Sequence, residues 1–200
     1  MESKCKLTDR QIEGTIAFHG HHCPGLTIGI RAAEWGLLEF GRAEDEEIIV
    51  VTETNMCAVD AIQFLIGCTF GKGNLIFRDI GKVAFTFFRR SDEKQKRIVL
   101  NPDFAQDIRA KQELLKPEQK NELFLLKQAT IQRMMNADLN DLFLISVSNK
   151  KCPERVRIHK TIHCETCGEG VMEPRLQTVN GKKICFDCAK RLTSEIDKAY

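Results

Sequence analysis

Phe18-His19-Gly20-His21-His22-Cys23-Pro24-Gly25 sets three ligand-type side chains, His19, His21 and Cys23, at every second position, with His22 between them. Pro24 biases Cys23 away from the α region and is itself well placed as the first residue of a helix. The reading is a helix ending near Phe18, a tight turn through Gly20 and a second helix from Pro24. Cys23 then falls at a helix N-terminus, where the dipole and free N–H groups favour a thiolate. If the turn is extended, alternation points His19, His21 and Cys23 the same way. Cys23 and His21 are therefore the candidates for chemistry.

Upstream, Thr8 with Gln11 three residues on forms a capping-box pattern, and Leu7 and Ile12 fit a hydrophobic staple. Downstream, Leu26, Ile30, Ala33, Leu37 and Phe40 recur at helical spacing until Gly41. Residues 47–53 are β-branched and read as a strand buried on both faces. Asn55 is a plausible cap for a helix carrying Cys57 and Asp60 to Gly67, with Cys68 just beyond. Residues 75–77, 82–89 and 97–101 read as strands, 104–115 and the stretch from Pro117 as helices, and 142–147 as a last strand.

These ligand types suit a transition metal. Imidazole with thiolate favours zinc, iron, nickel or copper over magnesium. His19, His21, Cys23, Cys57 and Cys68 form the candidate set for such a second metal, and Asp60 or Gln63 could orient a ligand from behind.

The C-terminal quarter is a different object. Cys164-x-x-Cys167 and Cys185-x-x-Cys188 are the paired thiolates of a structural zinc site. Gly168 suits a knuckle turn, Asn180-Gly181 marks a hairpin tip, and the last cysteine pair opens a helix running to Tyr200. This is the pattern of a treble-clef finger. The composition shift over residues 149–160 predicts a linker, which divides the chain into a domain at 1–149 and a four-cysteine zinc finger at 150–200.

The 200 residues include nine cysteines and carry a formal net charge of +2. Residues 150–200 hold 11 Lys/Arg against 7 Asp/Glu, so the finger side is mildly basic and the remainder mildly acidic. That admits weak nucleic-acid binding and falls short of a strong basic signature. There is no apolar run long enough for a membrane span, and Met-Glu-Ser-Lys-Cys-Lys is no signal core. With thiols spaced for metal, a cytoplasmic protein is expected.

Four stretches together resemble the FmdE family, named for an accessory chain of formylmethanofuran dehydrogenase. They are Phe18-His19-Gly20-His21-x-Cys23-Pro24-Gly25; Cys57-Ala58-Val59-Asp60-Ala61-Ile62-Gln63; Gly67-Cys68-Thr69-x-Gly71-Lys72-Gly73-Asn74-Leu75; and Gly81-Lys82-x-Ala84. Several proteins of that family also end in a zinc finger. The resemblance implies an α+β fold, in which an FmdE-like core domain with a mixed sheet and packed helices precedes a small treble-clef-type finger. It further implies an intertwined homodimer and a Cys/His site. The named enzyme is a molybdenum or tungsten oxidoreductase of one-carbon metabolism whose catalytic centre lies in other subunits. An accessory role beside a molybdopterin enzyme, in redox or metal delivery, is the leading expectation. A metal- or redox-responsive regulator that binds nucleic acid through its finger, and a free-standing metalloenzyme, are the alternatives.

Overall fold

The computed structural model describes residues 4–155 and 157–196. Two compact units emerge, Met1–Val156 and Arg157–Tyr200.

In the first unit, α1 (Asp9–His19) starts at the expected capping box: the Thr8 side chain accepts from the Gln11 N–H, and Gln11 answers at the Thr8 N–H. It ends at Gly20, whose φ of 95° reverses the chain. Helix α2 (Pro24–Phe40) begins at once, with Cys23 as its N-cap. Apolar almost all round, it is the central helix of the unit; its run from Leu26 to Gly36 is buried throughout. Buried within it is an ion pair, Arg31 with Glu34 at 2.8 Å. Arg31 also donates to the Ala137 carbonyl at 2.6 Å, and Glu34 accepts from the Lys6 N–H at 2.8 Å. One helix thus fastens the N-terminal segment and a loop a hundred residues away.

Beside α2 stands a five-stranded mixed sheet made of β1 (Ile48–Thr52), β2 (Leu75–Phe77), β3 (Ala84–Arg89), β4 (Gln95–Leu100) and β5 (Phe143–Val147), in the order β2-β1-β3-β4-β5. Only the β1–β2 pair is parallel. Its core face presents Val50, Phe85, Phe87 and Ile98, which join Trp35, Phe40 and Ile66 in the main core. The opposite face presents Ile49, Val51 and Phe88, and these are buried too, with Cys152 packed against them. The segment around Cys152, expected to be a linker, is therefore a strap: Arg90 donates to the Pro153 carbonyl at 2.8 Å and holds it on the sheet. Leaving those three apolar side chains in water would be unfavourable, which is why the strap packs there.

Between β1 and β2 the chain forms α3 (Ala58–Ala61) and a π-helical turn (Ile62–Ile66) closed by Gly67 at φ 81°. The cap is Cys57, not Asn55. Arg42 donates to the Phe64 carbonyl, which a π turn leaves open to an outside donor. Helices α4 (Gln106–Leu114), α5 (Lys120–Met135) and α6 (Leu139–Leu142) lead to β5.

The second unit pairs β6 (Thr161–His163) with β7 (Gly170–Met172), and β8 (Leu176–Val179) with β9 (Lys182–Cys185), before α7 (Phe186–Ile196). Asn180 and Gly181, at φ 52° and 76°, form the hairpin tip that the Asn-Gly pair predicts. The helix expected through Tyr200 has its last four residues outside the described ones.

Candidate metal centres

Two glycines of α2 bring the first site together. A Cβ on Gly29 would lie 2.2 Å from the Ala58 carbonyl oxygen, and one on Gly25 would lie 3.2 Å from the Cys57 Cβ. Their absence lets the start of α3 rest directly on α2. Cys57 therefore arrives beside Cys23, and the last residue of α1, His19, completes the group. The His19 nitrogen and the Cys23 and Cys57 sulfurs all lie within 4.8 Å of one another.

Each side chain is oriented. Cys23 Sγ accepts from the Leu26 N–H at 3.3 Å, the expected helix-start bond. His19 Nδ1 lies 2.7 Å from Asp60 Oδ2, and Gln63 donates to Asp60 Oδ1 at 3.4 Å. A carboxylate accepting from Nδ1 leaves the Nε2 lone pair available. That atom is buried and has no hydrogen-bond partner among the described residues. A buried imidazole nitrogen without a partner is costly, and a metal would satisfy it. For Cys57, burial first and then the adjacent Cys23 push the thiol pKa up. Two thiols this close resist joint ionisation, and a dication would remove that resistance. The donor set therefore fits a transition metal with one position open to a further ligand.

Two residues expected at this site lie elsewhere. His21 is exposed and stacks on His19, with ring centroids 4.6 Å apart. The alternation argument fails because His19 is still helical and Gly20 turns left-handed, so there is no extended run. Cys68 is buried in the core, where its Sγ donates to the Ile48 carbonyl at 3.3 Å and burial pushes its pKa up to about 12. Gly67 turns it under β1 and away from α2.

The second group is Cys164, Cys167, Cys185 and Cys188, also within 4.8 Å of one another. Cys164 Sγ accepts from the Cys185 N–H at 3.3 Å, and Cys185 Sγ accepts from the Cys188 N–H at 3.4 Å. Backbone N–H donors hold Cys164 down at about 6, while hydrogen bonding with Cys185, then burial, push Cys188 up to about 12. Some of the thiols thus ionise easily and others resist, as expected where four sulfurs crowd together. Four thiolates close a tetrahedral shell and leave no open position.

Sequence reasoning missed the part played by Gly25 and Gly29. Their four-residue spacing on α2 is the signal for a close helix approach, and α3 makes that approach.

Comparison with known proteins agrees with this division. The family described as "FmdE, Molybdenum formylmethanofuran dehydrogenase operon" matches residues 18–144. The prokaryotic dksA/traR C4-type zinc finger matches residues 159–193. A protein of Archaeoglobus fulgidus, named a probable S-adenosyl-L-methionine-binding protein, is 29% identical over 189 residues, covering 86% of this chain and 50% of that protein. The chain thus spans half the length of that relative. A crystal structure of an FmdE-like protein of tungsten formylmethanofuran dehydrogenase, from Syntrophus aciditrophicus, superimposes with a TM-score of 0.66 at 21% identity. It covers 94% of this chain and 97% of the other, and it shows the fold.

Proposed function

The chain belongs to the FmdE family, and we propose that its core unit is a metal carrier or accessory redox protein built on His19, Cys23 and Cys57, with a structural zinc finger attached. The observation that carries this is the buried His19 Nε2, turned away from Asp60 and grouped with two cysteine sulfurs. Those three side chains would hold a zinc-like ion, which would supply Lewis acidity or a transferable metal. The protein's own part is orientation: Asp60 fixes the imidazole tautomer, the start of α2 places Cys23, and Gly25 and Gly29 admit Cys57. The open fourth position suits delivery to, or exchange with, a partner. The family's description supports an enzyme of the molybdenum formyl dehydrogenase class as that partner. Affinity purification under native conditions should retain a molybdopterin enzyme; repeated recovery of the chain without one would contradict the accessory role.

A second reading draws on the A. fulgidus relative. An apolar cavity beside Asp60 supports binding of an adenosyl ligand by this chain. Calorimetric titration of S-adenosylmethionine into the full chain should then give saturable heat, and a flat titration at millimolar ligand would remove the reading.

A further inference from the structure

The cavity beside Asp60 measures about 250 Å³ and its surface is mostly apolar. Thr52, Asn55, Asp60, Phe70, Leu75 and Phe77 are among the residues that line it. Two of these are large and unburied: Phe70 is 80% exposed and Phe77 42%. Aromatic side chains left this open beside a cavity form a surface that gains from being covered. The polar groups in the lining are largely satisfied within the protein. Thr52 donates to the Thr54 carbonyl at 2.6 Å, Thr54 accepts from the Met56 N–H at 3.3 Å, and Gln63 donates to Asp60.

Asp60 differs from the rest. Among the described residues it is the one ionisable side chain in the lining, and its carboxylate is 36% exposed. It also touches His19 at 2.7 Å, so the same side chain belongs to the metal group and to the cavity wall. A metal on His19 Nε2 requires a neutral ring donating through Nδ1, which leaves the Asp60 charge uncompensated. An apolar, aromatic-walled space with one negative charge is complementary to a flat ring that carries positive charge.

We infer that this cavity binds a planar heteroaromatic cation, with the ring against Phe70 and Phe77 and the charge toward Asp60. The inference rests on reading the Asp60 cavity as a ligand site, and it states what that site selects. Because Asp60 also orients His19, an occupant of this class would lie next to the metal group.

The test is calorimetry on the full, zinc-loaded chain with two probes of nearly equal shape, 1-methylnicotinamide (cationic) and nicotinamide (neutral). The cation should bind at least fivefold more tightly. Asp60→Asn should erase that ratio. Phe70→Ala, an exposed position, should weaken both probes at least fivefold while circular dichroism and metal content stay unchanged. Equal affinity for the two probes, or binding of neither, would overturn the inference. So would a Phe70→Ala variant that binds as before but loses its dimer in light scattering, because a second copy would then be what covers the rings. If S-adenosylmethionine fails to bind while 1-methylnicotinamide shows the charge preference, the adenosyl reading falls and the inference stands.

Discussion

At the scale of single residues, Gly29 does as much for the first site as any ligand. A Cβ there would meet backbone, the Ala58 carbonyl at 2.2 Å, which cannot rotate aside as a side chain could. Gly29→Ala should destabilise the core unit by about 2–3 kcal/mol, in the range of overpacking in a filled interior, and should lower metal content together with stability. Urea midpoints and elemental analysis on the same preparation check both; an unchanged midpoint would mean that α3 does not rest on α2 as described. Asp60→Asn separates orientation from ligation. It should weaken metal binding by about 10- to 100-fold without removing a ligand, the usual consequence of losing a carboxylate behind a ligating histidine. The sequence shows the ligand types and names Asp60 as an orienting side chain. It does not show which ligands converge. His21 and His19 look equivalent on paper, and one left-handed residue, Gly20, sends their side chains apart. Cys68 looks as reactive as Cys57 until the turn at Gly67 buries it.

At the scale of elements, the helices with local signals are legible and those fastened from a distance are not. Thr8, Gln11, Pro24 and Gly41 mark the ends of α1 and α2 through bonds between near neighbours. The π turn after α3 draws on Arg42, some twenty residues upstream, so no local pattern announces it. The strap over the sheet reads as linker because its composition is polar and basic, yet Arg90 and the apolar face of β1 and β3 hold it. The Glu53–Arg97 pair on the sheet is equally non-local, with two bonds of 2.8 and 2.7 Å from the guanidinium to a carboxylate that is only 3% exposed. The Arg97 fork, opposed by burial, holds the Glu53 carboxyl below the usual range. A carboxyl lowered in the folded state adds stability above its unfolded pKa of about 4.3, and that stability is lost as the pH falls through the folded value. Urea midpoints of the parent and of Glu53→Gln should therefore differ at neutral pH and converge in acid. A gap that widens in acid would contradict the assignment. Breaking the buried Arg31–Glu34 pair is a harsher change. Glu34→Ala leaves a charged guanidinium without its carboxylate and should cost about 3–5 kcal/mol.

At the scale of the whole molecule, two compact units carry two kinds of cysteine cluster, and they are expected to respond independently. The finger has a small apolar cluster around Ile184, Cys164, Cys188 and Ala189, too little to fold without metal. We propose that the chain is a homodimer, supported by apolar side chains that the first unit leaves exposed: Phe124 and Leu125 on α5, Leu144 and Val147 on the edge strand β5. Light scattering should give twice the 22.8 kDa chain mass, and a monomer at micromolar concentration would contradict this. The doubled Cys-x-x-Cys makes the finger legible in the sequence because all its ligands lie within 25 residues, between Cys164 and Cys188. The first site draws on three separate elements, and only the folded chain selects His19, Cys23 and Cys57 from the five candidates.

The most direct measurement is a metal count by elemental mass spectrometry on three purified full-length proteins: the parent chain, Cys23→Ala and Cys185→Ser. Two metals per chain in the parent and one in each variant are predicted, with protease resistance lost only in the finger of Cys185→Ser. One metal in the parent, one in Cys23→Ala and none in Cys185→Ser would contradict a metal centre at His19, Cys23 and Cys57.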